Sequence, residues 1–249
     1  MEQKIKLFDT FIDNLSVKES IAFVKKTIKN KVQIHEQGVN AYKIVAMQSD
    51  VDLRKSVQQA DLIQADGQAV IWASKILKKP LKERIAGIDL MQDLVKMAFK
   101  NNYKIFFFGA REEVVKTVVE TYTKKYNADL IAGYRNGYFN KDDESKIARQ
   151  IADSQAQLLF VGISSPTQEF FLDHYRNMFP NVYFMMGVGG SFDVIAGKVK
   201  RAPRWMQKSG LEWFYRFLQE PGRMWKRYLV TNSKFIWMVF KKRITGCKS

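Results

Sequence analysis

Short apolar runs that stop at a glycine or a polar turn, each followed by helical periodicity, recur along this chain and constrain its fold more than any other feature. The clearest case is Ala60–Val70, where an apolar-rich run ends in Asp66-Gly67 and a helical pattern follows from about Ala69 to Leu77. The pattern returns at Tyr103–Phe108, closed by Gly109-Ala110. Gln157–Ile163 shows it again before the turn Ser164-Ser165-Pro166-Thr167-Gln168-Glu169, and so does Asn181–Met186 before Gly187-Val188-Gly189-Gly190-Ser191-Phe192-Asp193. Lys31–Glu36, ending at Gln37-Gly38-Val39-Asn40, and Asp129–Tyr134 complete the expected strands. Strands of this kind, alternating with helices, specify an α/β fold: a mostly parallel, Rossmann-like sheet with helices on both faces. A ligand site is then expected outside the carboxyl ends of the strands.

The helices have their own signals. Ser16-Val17-Lys18-Glu19 has the spacing of a capping box, and a helix should run from Val17 to Lys29 with Ile21, Val24 and Ile28 inward. Ala41–Met47 follows a strand end and is expected to be helical; Ser49 or Asp50 should cap a short helix over about Val51–Gln59. Further helices are expected up to about Asn101, from Ala110 to about Tyr126, and over Lys146–Asp153. Leu7–Leu15 is a short apolar-polar lead-in.

Composition matters chiefly at the C-terminal end. From Lys198 to Ser249 there are 14 Lys and Arg against only Glu212 and Glu220, a net of +12, which leaves +4 of the chain's +16 for residues 1–197. The same stretch holds Trp205, Trp213, Trp225 and Trp237 among other aromatics. We therefore divide the chain into an α/β core (1–197) and a basic, aromatic-rich helical appendage (198–249). Cations interleaved with rings suit an anionic membrane surface; they also suit single-stranded nucleic acid, and the third alternative is that the rings pack as core. The single cysteine, Cys247, fits a reducing compartment. With no apolar signal-peptide segment at the start and no run long enough to span a bilayer, a cytoplasmic protein peripheral to the membrane is expected.

A carboxylate at a strand end, beside a glycine that admits a ligand to the backbone, makes Asp66 the first catalytic candidate; the alternative is that it caps the next helix. Arg84, in a loop between Pro80 and Gly87, can turn its planar fork toward a phosphate, or can be a solvated surface arginine. The turns at Gly109 and Gly187–Gly190 can admit phosphates, although neither has the full dinucleotide or P-loop spacing. Asp50-Val51-Asp52 superficially matches a metal-binding Asp-x-Asp, but helix-start chemistry explains both aspartates, and no metal is expected. His35 and His174 lack metal-ligand partners and are expected to be structural.

Several of these segments together resemble the bacterial WecG/TagA/CpsF glycosyltransferase family: Asn40-Ala41, Ala65-Asp66-Gly67, Glu83–Leu90, Pro166-Thr167-Gln168-Glu169, Gly187–Asp193, Ala196–Pro203, Gly210–Arg216, Glu220-Pro221 and Arg223. The resemblance implies an inverting, metal-independent and cofactor-free transfer of a sugar, of N-acetylmannosamine type, from a UDP-sugar to an undecaprenyl-diphosphate-linked sugar at the inner membrane face, in surface polysaccharide or teichoic acid synthesis. It implies that Asp66 is the general base and that Asn40, Arg84 and Gln168 line the pocket. Asp193 falls near the nucleotide, where Gly109, Tyr138, Gly187 and Gly189 are also expected. Arg216, Arg223 and Arg227 match basic residues that close over the diphosphate. Its partners would be the UDP-sugar, the lipid-linked acceptor and the anionic membrane, and not nucleic acid; the family also suggests self-association into a homo-oligomer. Where many members carry Thr-Pro-Asn, this chain has Gly38-Val39-Asn40, which leaves open other donors such as UDP-glucose, UDP-galactose or UDP-glucuronate.

In such a transfer one carboxylate removes the acceptor proton as the new bond forms, and guanidiniums and helix N-termini meet the charge that develops on the leaving diphosphate. Two other classes remain as rivals: a nicotinamide-dependent oxidoreductase, which lacks the glycine fingerprint and its acidic partner, and a basic nucleic-acid- or membrane-binding module without catalysis.

Overall fold

The computed structural model describes residues 4–219 and 221–245, with side chains except at 208 and 223–229. An antiparallel hairpin, β1 (Lys4–Leu7) and β2 (Thr10–Asp13), precedes a six-stranded parallel sheet. The sheet consists of β3 (Ile34–Val39), β4 (Leu62–Ala65), β5 (Ile105–Gly109), β6 (Ile131–Arg135), β7 (Leu158–Gly162) and β8 (Phe184–Gly187), in the order β4-β3-β8-β7-β5-β6. The connecting helices are α1 (Val17–Lys29), α2 (Ala41–Ala46), α3 (Val51–Gln58), α4 (Gln68–Ile76), α5 (Gly87–Lys100), α6 (Glu112–Lys125), α7 (Glu144–Asp153), α8 (Thr167–Tyr175) and α9 (Ser191–Ile195). They are followed by α10 (Arg204–Lys208), α11 (Glu212–Gln219) and α12 (Pro221–Thr245).

Helices cover both faces, and this is why the central strands are apolar throughout. In β5, Ile105 and Phe107 pack with α1, α5 and α6, while Phe106 and Phe108 pack with α7 and α8. Where a strand has no spare face for solvent, every second residue is as apolar as its neighbours. The expected capping box is present: Glu19 N–H donates to Ser16 Oγ and Ser16 N–H to Glu19 Oε2, and the helix spans Val17–Lys29. Asp50, not Ser49, caps α3, accepting from Leu53 N–H at 2.9 Å.

Two differences from the sequence-based expectation concern the N-terminal region. Leu7–Leu15 contributes to a hairpin that braces the edge strand: Asp13 Oδ2 accepts from Ile63 N–H of β4 at 2.8 Å, and Leu7, Phe8 and Ile12 fill a core cluster with α2, α3 and α4. Strand β3 starts at Ile34 rather than Lys31, because Lys31 takes a positive φ of 56° in the turn that ends α1.

The same cluster draws in the end of the chain. Phe235 and Val239 of α12 are buried in it, with the Phe235 ring 5.7 Å from that of Phe8. The next two residues, Ile236 and Trp237, fall on other sides of the helix and are 67% and 63% exposed. The helix thus has a core-facing stripe and a second apolar stripe turned to solvent. Among the described residues, no helix is long and apolar enough to cross a membrane.

Candidate active site

The carboxyl ends of β3, β4, β7 and β8 converge on one cleft of about 1470 Å³, roofed by α11 and the second half of α12. Gly38, Asp66, Gly162 and Gly187, the residues at or just after those strand ends, all line it. This is the crevice a parallel α/β sheet provides for a ligand.

Asp66 stands on the floor. Its Oδ1 accepts from Gly87 N–H at 3.0 Å, tying it to the first residue of α5. It does not cap α4, whose N-cap is Gly67 without a side-chain bond. Oδ2 has no hydrogen-bond partner among the described residues, so one oxygen positions the carboxylate and the other is left for chemistry. Glycine at 67 is a packing requirement, since a Cβ there would lie 2.9 Å from Asn40 Cβ. Arg84 arches over the same point: its Nε donates to Asp66 O at 2.7 Å and its Nη2 to Glu212 Oε2 of α11 at 2.8 Å. Glu212 also meets Arg201 Nε at 3.3 Å, and Arg201 in turn grips Asp89 of α5 with two bonds of 2.6 Å. Paired forks of this kind hold geometry as well as charge.

Behind the floor lies a buried polar chain. Lys43 Nζ of α2 donates to Gln37 Oε1 and to Glu169 Oε1 of α8, both at 2.8 Å. Gln168 Nε2 donates to the same Glu169 oxygen at 3.0 Å. Burial pushes the Glu169 carboxyl up, but Lys43 and Gln168 more than offset it, and the group ends below the ordinary carboxylate value. Glu36 goes the other way: burial raises it to about 8, Asp66 adds to the rise, and Lys43 opposes it. His35 Nε2 lies 3.1 Å from Gln37 Nε2, and its Nδ1 lies 3.3 Å from Asp173 Oδ1; His174 stacks edge-on against Tyr175. His35 is buried in the sheet, whereas His174 is exposed. Among the described residues no group of three or more His, Cys, Asp or Glu side chains is placed to hold a metal ion.

On the far wall, the turn after β8 runs under α11. The Gln168 amide lies flat on Gly187, its Nε2 only 2.7 Å from where a Cβ would stand. Gly189, at φ +48°, has nothing within 4 Å of that position and opens to the cleft. Arg216 Nη2 lies 2.6 Å from a Cβ built on Gly190, so the guanidinium rests against the bare turn, and its buried Nε has no partner among the described residues.

This geometry agrees with two comparisons. The chain matches the Glycosyl transferase WecG/TagA/CpsF family over residues 5–249. It belongs to that glycosyltransferase family. It is 38% identical, over 82% of its own length and 78% of the relative's, to the N-acetylglucosaminyldiphosphoundecaprenol N-acetyl-beta-D-mannosaminyltransferase of Bacillus subtilis (strain 168). It is 39% identical, over 77% and 73% of the two lengths, to the protein of the same name from Bacillus spizizenii (strain W23). The chain is accordingly an enzyme that transfers a glycosyl group.

Within this glycosyltransferase the structure gathers most of the residues picked from sequence. Asn40, Asp66, Arg84, Tyr138, Gln168, Gly187, Gly189, Asp193 and Arg216 all border the cleft. Asn40 does so while also capping α2, its Oδ1 accepting from Lys43 N–H at 3.0 Å. Tyr138 reaches the rim from the loop after β6, with the Arg111 guanidinium 6.0 Å above its ring. Gly109 is placed differently: it is not among the cleft-lining residues, and a Cβ on it would collide with the Gly162 backbone, so its φ of +131° serves the close approach of β5 to β7. The side chains of Arg223 and Arg227 lie outside the described residues. Glu36, Lys43, Arg201 and Glu212 also line the cleft and were not singled out. A signal for the first two was available: His35-Glu36-Gln37 is a polar run inside a strand that must be buried on both faces, and buried charges come paired.

Proposed function

We propose that this glycosyltransferase moves an N-acetylmannosamine-type sugar from a UDP-sugar to an undecaprenyl-diphosphate-linked N-acetylglucosamine, with inversion, at the inner face of the membrane. The observation that carries the reading is Asp66, fixed through Oδ1 to Gly87 N–H and with Oδ2 unpartnered on the floor of the cleft. In this reading Oδ2 takes the proton of the acceptor hydroxyl as that oxygen attacks the anomeric carbon, and UDP leaves with the bonding pair. Arg84, paired with Glu212 of α11, and Arg216, one turn further along the same helix, meet the charge growing on the diphosphate. The bare backbone around Gly187–Gly190 gives phosphate oxygens room to approach. The relatives' names supply the acceptor class and the sugar type; the UDP carrier comes from the resemblance of the strand-end motifs.

The outward stripe of α12 supports a peripheral membrane location. Ile236, Trp237, Phe240 and Ile244 are exposed beside Lys241, Lys242 and Arg243, a pattern suited to lying at headgroup level. Ile236, Phe240 and Arg243 also line the cleft, so a surface that meets lipid is continuous with the place where a lipid-linked acceptor would enter.

The deciding measurement is UDP release by the full chain on anionic vesicles, with a short-chain N-acetylglucosamine-diphosphate-lipid and a panel of UDP-sugars. Release is expected with one donor, reduced roughly 10²- to 10⁴-fold by Asp66→Asn. Full release by Asp66→Asn would remove the base assignment. Preference for UDP-glucose, UDP-galactose or UDP-glucuronate would reassign the donor and point to Gly38 as part of the difference.

A further inference from the structure

Glu36 is a second carboxyl on the cleft floor, and its surroundings suit a task distinct from that of Asp66. It is 1% exposed yet lines the cleft, and its Oε2 is shielded from solvent with no hydrogen-bond partner among the described residues. A carboxyl oxygen held out of water without a partner is costly, and least so when the carboxyl is neutral; the other oxygen, Oε1, is the one turned toward the bare position at Gly38. A Cβ placed on Gly38 would stand 3.9 Å from both Glu36 Oε1 and Asp66 Cγ, so the two carboxyls flank the one position on β3 that has no side chain.

The groups facing Glu36 define its state. Lys43 approaches from α2, Asp66 from the end of β4, and Glu169 from α8 by way of Lys43. His35 alternates with Glu36 along β3 and points to the other side of the sheet. Lys43 is already engaged with Gln37 and Glu169, and burial holds the Glu36 carboxyl at about 8, so near neutral pH it keeps its proton while Glu169 does not. Glu36 therefore faces the cleft as a hydrogen-bond donor, while Glu169 behind it, held by Lys43 and Gln168, accepts.

We propose that Glu36 orients the acceptor, its carboxyl donating a hydrogen bond past Gly38 to a hydroxyl of the sugar held over Asp66. The inference rests on the reading of Asp66 as the base. It assigns to Glu36 no proton transfer, only the alignment of the acceptor hydroxyl that Asp66 deprotonates.

The test uses the full chain on vesicles. Acceptor and donor KM and kcat are measured from pH 6 to 10 for wild type, Glu36→Gln, Glu36→Leu and Asp66→Asn, with thermal unfolding of each at pH 7. Glu36→Leu, which cannot donate, is expected to lower kcat/KM for the acceptor roughly tenfold while leaving the donor KM in place. Glu36→Gln keeps a donor that cannot ionise; it should lose less, and should lack the fall in kcat/KM expected of wild type above about pH 8. A Gln variant that retains the alkaline fall, or a Leu variant with unchanged acceptor kcat/KM, overturns the proposal. So does an equal loss on donor and acceptor. Should Glu36→Leu fail to fold, the pH profile of Glu36→Gln decides alone. Transfer that survives Asp66→Asn removes the base but leaves the Glu36 result readable; the converse leaves the base and removes Glu36.

Discussion

The floor and the roof of the cleft are built on opposite principles. The floor, at the ends of β3 and β4, fixes its polar groups through internal partners, Lys43 with Gln37 and Glu169 and Asp66 Oδ1 with Gly87 N–H, and leaves one oxygen each of Glu36 and Asp66 without one among the described residues. The roof, among its described side chains from Arg201 to Thr245, leaves charges and rings largely at the surface. It is held to the core by a short chain of ion pairs, Arg84–Glu212–Arg201–Asp89, and by the buried stripe of α12. A buried pair is rigid because breaking it strands a charge, whereas a partly exposed pair can be exchanged for another anion at little cost. The floor is therefore prepared before any ligand binds, and the roof is the part whose contacts a diphosphate or a lipid surface can replace.

Four measurements break or sharpen this contrast, taken from the largest expected effect to the smallest. Lys43→Met should destabilise the chain by about 3–5 kcal/mol, because the buried Glu169 carboxylate would lose its one cationic partner and keep only Gln168 and a backbone N–H; denaturant unfolding that shows under about 1 kcal/mol of loss would mean the floor is not held by this pair. Phe235→Ala should cost about 3 kcal/mol through the cavity left against Phe8, placing the inner stripe of α12 with the core in energy as well as position. Replacing Trp237 and Phe240 together by Ser should leave the unfolding midpoint within about 0.5 kcal/mol, since both are exposed. The same double variant should weaken retention on anionic vesicles by roughly tenfold; undiminished retention would move membrane contact elsewhere.

A fifth measurement, a pH dependence, reads the floor directly. Glu36 holds a proton in the folded chain up to about 8 that the unfolded chain releases near 4.5. Its contribution to stability is complete below the lower value and is lost as pH rises through the upper one. Wild type should lose about 1 kcal/mol between pH 7 and pH 9 on this account. Glu36→Gln should lack that loss, and parallel pH curves for the two proteins would show that Glu36 is not shifted.

Much of the fold was legible because its signals are local. A capping box needs only Ser16 and Glu19 three residues apart, and a strand buried on both faces declares itself by an unbroken apolar run such as Ile105–Phe108. The hairpin was not, because Lys4–Asp13 is short and weakly patterned, and Phe8 turns it with a positive φ of 54° that its sequence does not advertise. At the site, Asp66 and Gly187 could be found from their position after apolar runs. Gly109 carries the same signal for a different reason, the close approach of two strands.

The sequence by itself determined the parallel sheet, the cleft at its carboxyl ends and the carboxylate that stands there, because these follow from periodicity and from residues adjacent in the chain. It also determined that the last fifty residues are basic and aromatic. Only the tertiary structure decided which of those aromatics are core and which are surface, since Phe235 and Trp237 are alike in kind and differ only in the side of α12 they occupy. Only it brought Glu36, Lys43 and Glu169 together on the floor, and Arg84 under Glu212, 128 positions further on. Charge pairing and protonation depend on distance and burial, and neither exists until the chain has folded.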